Sequence, residues 1–129
     1  MMLSITPLYA GVMALILIML SALVVRQRVI THKAGDLADE TELNKSMRVQ
    51  ANFVEYVPLA LILMLCAELQ GASSPFLHAM GLTLMIARLA HAIGMLRTPQ
   101  ISALRGGGFL LTFLMMTLCA ITVIGAALT

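Results

Sequence analysis

Seven polar residues stand in or beside stretches of sequence that are otherwise apolar, and their spacing groups them. Arg48, Asn52 and Glu55 fall at i, i+4 and i+7, with Tyr56 next to them. At about 100° per residue these offsets share one face of a helix. Arg88 and His91 fall at i and i+3, again on one face, and Arg105 precedes the last apolar run. A charged side chain in the middle of a membrane helix costs roughly 2.5–3.5 kcal/mol, so residues placed there have to be compensated or used. Arginines outnumber the single carboxylate of this set, which suits an anionic guest, and the planar fork of arginine binds carboxylates in a bidentate way. Two readings stand side by side: a buried ion pair with an asparagine bridge that fixes helix register, and a polar pocket walled by all seven residues. His78 lies toward the other end of its span and reads as an interfacial residue.

The elements that carry these residues follow from composition. Of 129 residues, 60% are hydrophobic and 11% charged, against about 25% charged in a typical soluble domain, and the mean hydropathy is +0.99. Four apolar runs, roughly 8–25, 53–67, 76–96 and 109–128, approach the roughly 20 helical residues needed to cross a bilayer core. The expected architecture is all-α: a single domain over 1–129, an integral membrane four-helix bundle with helices about 5–28, 43–70, 75–97 and 105–128. Pro7 suits a helix start, Gly71–Pro75 separates the second and third helices, Thr98-Pro99 ends the third, and Gly106–Gly108 marks the entry to the fourth. Pro58 should bend the second helix one turn beyond the polar group. Along the second helix Glu55 lies roughly 18 Å from the start near Leu43, and along the antiparallel third Arg88 lies roughly 14 Å from the end near Arg97. Similar depth predicts that Glu55 and Arg88 pair.

Charge also sets orientation and excludes classes. The first connection carries Arg26, Arg28, His32, Lys33 and Lys45, with Asp36, Asp39, Glu40 and Glu42 among them; the third carries Arg97 and Arg105; the second carries no basic residue. Loops rich in Lys and Arg stay in the cytoplasm, which predicts a multi-pass protein with both termini on the non-cytoplasmic side. The first span lacks a basic region before it and is too long for a signal peptide. A net charge of +2 without a like-charge run gives no nucleic-acid surface. Cys66 and Cys119 lie in apolar spans without a CxxC or His-rich partner and read as small buried residues. The eleven methionines read as adaptable packing rather than metal ligands, and no metal is expected.

On these residues the chain resembles a known family. Arg48-Val-Gln-Ala-Asn52-Phe-Val-Glu55-Tyr56-Val-Pro58 is similar to the second-helix signature of the MAPEG family, the membrane-associated proteins in eicosanoid and glutathione metabolism. Ala87-Arg88-Leu-Ala-His91 is similar to the third-helix signature, and Arg105 to the arginine that opens the fourth helix. The resemblance implies a homotrimer with glutathione as cosubstrate, bound between subunits near the cytoplasmic face by Arg48, Asn52, Glu55 and Arg88, with Tyr56 adjoining and His91 in the intervening polar position. It puts thiolate stabilisation on Arg105, since a cationic neighbour lowers a thiol pKa. The implied activity is a glutathione-dependent transferase or peroxidase acting on hydrophobic small molecules that arrive from the lipid bilayer, in a bacterial inner membrane. The alternative is a non-catalytic lipid-binding or scaffold protein of the same fold. Two positions depart from the pattern: Ala51 stands where some members carry a second arginine, and Met95 where several catalytic members carry a tyrosine.

Overall fold

A computed structural model describes residues 4–35 and 39–128. Asp36, counted above in the first connection, lies outside them. Four helices follow one another: α1 (Ile5–Ala34), α2 (Thr41–Leu69), α3 (Ser74–Leu96) and α4 (Ser102–Leu128). All four are long and apolar enough to cross a membrane. Compared with the sequence expectation, α1 runs on to Ala34 instead of stopping near 28, because Arg26–Lys33 are good helix formers or neutral residues and no breaker precedes Gly35. α4 starts at Ser102 rather than 105, so Gly106–Gly108 lie inside it, not at its entry. The reason is local: Ile101 N donates to Gly94 O (2.9 Å) and Arg105 N to Ile101 O (3.0 Å), which starts the helix directly on the end of α3.

The helices pack as a lozenge. α3 lies along α4 and α1 along α2, while α2 and α3 touch across the middle; among the described residues α1 and α4 do not pack on each other. Each helix turns one stripe inward. On α2 the stripe is Val49, Phe53, Val57, Ala60 and Met64; on α4 it is Gly108, Thr112, Met115 and Cys119. These are the i, i+4, i+7 and i+8 spacings of helical packing. α3, in contact with the other three, is the most enclosed helix, and it carries buried Arg88 and His91. The outward faces of α1 and α4 keep Leu15, Ile18, Met19, Leu110, Leu114 and Ile121 exposed, as a bilayer requires.

Glycine lets α3 and α4 meet closely at two places. A Cβ on Gly108 would come within 2.4 Å of Ala87 O and 2.7 Å of His91 N, and one on Gly94 within 2.5 Å of Arg105 N. Neither backbone can give way, so both sites require a residue without a side chain. Gly106 and Gly107 have nothing within 4 Å of such a Cβ. The triple glycine therefore holds one packing position and two free ones.

At the end of the bundle remote from the 35–40 loop, the start of α1 is capped by another helix. Glu68 is 6% exposed, and its carboxylate accepts from Ser4 N (2.9 Å), Ile5 N (3.0 Å) and Thr6 N (2.7 Å). These are the N–H groups that a helix start leaves without intrahelical partners, and a carboxylate also complements the positive end of the helix dipole. Beside it Tyr9 pairs its hydroxyl with His78 Nδ1 (3.1 Å) and lies against Gly81. Gly71, with φ at +84°, turns the chain from α2 into α3.

Candidate functional site

At the opposite end, a cavity of about 550 Å³ opens between α2, α3 and α4, lined by Arg48, Asn52 and Glu55 from α2, His91 and Met95 from α3, and Arg105, Gly106 and Phe109 from α4, with Ala51 beside them. That volume falls within the roughly 300–1,000 Å³ of small-molecule sites. Five of the seven residues singled out by spacing meet here. Of the other two, Arg88 is buried behind Asn52 and Tyr56 packs against Phe109 beside the cavity.

Arg88 is 1% exposed, and its partners correct one expectation. The pairing of Glu55 with Arg88 does not form: Arg88 Nη2 donates to Asn52 Oδ1 and Nη1 to Thr112 Oγ1 (3.4 Å). Among the described residues the ion pair found is Lys45–Glu42, at 2.7 Å on the surface. Helix geometry explains the difference. With about 100° per residue, Asn52 is turned from Arg48 toward the buried stripe of α2 and Glu55 away from it. Glu55 is thus exposed at the mouth of the cavity while Asn52 reaches the guanidinium.

This contact fixes the polarity of the asparagine. Arginine has donors only, so Asn52 must give Arg88 its oxygen, which leaves its amide N–H groups as donors at the cavity wall. Arg88 is then a positioning residue. Its Nε has no hydrogen-bond partner among the described residues, and no carboxylate offsets its charge.

His91 is oriented in a similar way. Its Nδ1 lies 3.0 Å from the carbonyl oxygen of Arg105. A carbonyl can only accept, so the proton sits on Nδ1 and the neutral ring keeps a lone pair on Nε2. That Nε2 is buried and has no partner among the described residues. Gly94 and Gly108 bring α3 and α4 close enough for this bond, on either side of Arg105. The Arg105 side chain is exposed and donates from Nη1 to Gln100 Oε1 (2.8 Å). The wall as a whole offers guanidinium and amide donors, one neutral acceptor and one carboxylate. Such a set is chemically complementary to a molecule with more than one anionic group and a cationic one.

Sequence reasoning missed two contributors. Thr112 supports Arg88 while donating its own hydroxyl hydrogen to Gly108 O (2.8 Å); its place four residues after Gly108 was the available signal. Phe109 lines the cavity from α4, and nothing in its apolar surroundings marks it in the sequence. The two positions that depart from the family pattern, Ala51 and Met95, both line the cavity.

The fold and site define an integral membrane four-helix bundle with an arginine-rich cavity between its helices. Residues 6–125 match the MAPEG family, and the chain belongs to that family. Over 90 residues it is 38% identical to the inner membrane protein YecN of Escherichia coli K12, covering 70% of this chain and 69% of the relative. The same protein from Escherichia coli O6:H1 matches equally. No solved structure matches.

Proposed function

We propose that this chain is a membrane glutathione-dependent transferase or peroxidase acting on hydrophobic electrophiles, placed in a bacterial inner membrane with the cavity on the cytoplasmic side and both termini on the other. The observation that carries the reading is the cavity itself: Arg48, Asn52, Glu55, His91 and Arg105 converge on one volume, with donors and acceptors that match the tripeptide. Glutathione has two carboxylates, one ammonium and a thiol. Arg48 and the amide of Asn52 suit the carboxylates, Glu55 suits the ammonium, and His91 Nε2 accepts a hydrogen from the peptide or the thiol.

When bound, glutathione supplies the nucleophilic sulfur. The chain's part is to hold the tripeptide, keep water out on the α3 side through His91 and Met95, and set a guanidinium where negative charge develops on sulfur. Arg105 is the residue for that task, at the cavity mouth where an electrophile can arrive from lipid. Assembly as a homotrimer follows from family resemblance and is part of the proposal.

Titration of reduced glutathione into detergent-purified protein tests the reading. Saturable binding lost on Asn52→Ala supports it, with Arg105→Ala lowering turnover much more than affinity. Unchanged turnover in Arg105→Ala rejects the role given to that residue. A second reading, a non-catalytic lipid-binding or scaffold protein, draws on Ala51 and Met95, which put apolar surface in the cavity wall. It requires lipid in the cavity and no conjugation with any electrophile.

A further inference from the structure

Beside the polar cavity the chain gathers rings. Tyr56 of α2 meets Phe109 edge-on (centroids 5.6 Å apart, planes at 87°) and Phe113 at a tilt (5.6 Å, 57°), and the two phenylalanines touch each other at 4.2 Å. The chain has only two tyrosines and four phenylalanines, so half its aromatic residues sit in this one cluster. They do not fill the interior. Phe53 belongs to the buried core and Phe76 packs against it, whereas Tyr56, Phe109 and Phe113 take no part in it. Tyr56 and Phe109 are half-buried, and Phe113 is 42% exposed. The surrounding outward face is aliphatic: Leu110, Leu114 and Ile121. Leucine serves as well as phenylalanine for contact with lipid tails, so rings concentrated at this place call for another use.

Position supplies that use. Phe109 is a wall of the polar cavity as well as a member of the cluster. Tyr56 lies one turn of α2 beyond Asn52, on the side away from the loop end. A molecule whose reactive carbon or oxygen reaches the cavity would lay its apolar body on these rings. Gly106, also in the wall, has open space where a side chain would be. Rings prefer offset or edge-on ring partners and gain from them beyond the burial of area, a gain that an alkyl chain does not collect.

We propose that Tyr56, Phe109 and Phe113 form the subsite for the apolar co-substrate and that they select planar aromatic electrophiles over aliphatic ones. This rests on the glutathione reading above and names its substrate class.

The test uses three ligands and needs no turnover: glutathione, S-(2,4-dinitrophenyl)glutathione and S-hexylglutathione, titrated by calorimetry into the full-length protein in lipid nanodiscs. The expected result is that the dinitrophenyl conjugate binds about tenfold more tightly than the hexyl conjugate. In Phe113→Leu, a ring outside the cavity wall whose replacement keeps the site apolar, that ratio falls about threefold while glutathione affinity moves less than twofold. Phe76→Leu, a ring remote from the cavity, leaves the ratio intact. Equal affinity for the two conjugates in the unaltered protein, with glutathione bound, overturns the aromatic subsite alone, as does an equal loss for both conjugates in Phe113→Leu. Discrimination between the conjugates without measurable binding of glutathione upholds the subsite and removes the glutathione reading. Binding of none of the three removes both.

Discussion

The two ends of this bundle bury polar groups in opposite ways. At the far end the Glu68 carboxylate is saturated by three backbone N–H groups and Tyr9 is paired with His78; Thr6 Oγ1 is the exception there. At the loop end, Arg88 Nε and His91 Nε2 are buried without partners among the described residues, and Arg48, Glu55 and Arg105 are exposed around an open volume. Evolution can satisfy a buried charge internally, and at Glu68 it did so. A satisfied polar cluster holds the fold together, and an unsatisfied one is free to bond a guest, as proposed for this cavity. The same residue types thus do different work, and the difference lies in what is left unbonded.

That contrast can be broken experimentally, starting with the largest effect. Glu68→Ala strips the start of α1 of all three bonds at once. We expect a loss of about 3 kcal/mol or more, seen as a lowered thermal unfolding midpoint in detergent, with glutathione affinity of the folded protein unchanged. Gly108→Ala follows, at about 1–3 kcal/mol for forced overpacking. Because it pushes α3 from α4 beside His91, it also weakens glutathione binding, while Gly107→Ala, with free space around it, stabilises by about 0.5–1 kcal/mol. Arg88→Met should move stability by less than about 1 kcal/mol, since an apolar chain replaces a buried cation that no carboxylate offsets. Its glutathione affinity should fall at least tenfold, because Asn52 loses the donor that orients it. A large stability loss in Arg88→Met with binding retained would reverse the assignment of the two ends.

The smallest effect lies in the loop before α2. The Asp39 carboxyl is held below its usual range by the Thr41 hydroxyl, then by the Thr41 backbone N–H, which reaches it at 2.9 Å. A folded-state pKa below the unfolded value stabilises above the unfolded value of about 3.9 and loses that contribution as pH falls through the folded one. Asp39→Ala should therefore lower the unfolding midpoint slightly at neutral pH, and the gap to the unaltered protein should close on acidification.

Much of this was legible beforehand, for reasons particular residues show. Hydropathy marked four helices because a bilayer imposes length and apolarity on every span. Offsets of four and three residues collected Arg48, Asn52, Glu55 and His91 because helical periodicity is local. Depth along antiparallel helices brought the right level of α2 opposite Arg88, but the partner is Asn52, about one turn nearer the loop. Rotation of a few tens of degrees decided between them, and spacing does not fix rotation about the helix axis. Glu68 gave no sign of its role, since its partners lie 62 to 64 residues earlier, and a carboxylate at the end of a span looks like any interfacial charge.

The Glu68 contact also bears on how the chain comes together. Every group in it lies between Ser4 and Glu68, within the first two helices. The hairpin of α1 and α2 is consequently fastened at both ends, by its connecting loop at one and by a carboxylate on three amides at the other, with Gln50 joined to Ser21 part-way along (2.7 Å). All of these fastenings are made by residues 4 to 68. The first half of the chain carries its own closure and can be a finished platform in the bilayer before α3 arrives to bury Arg88.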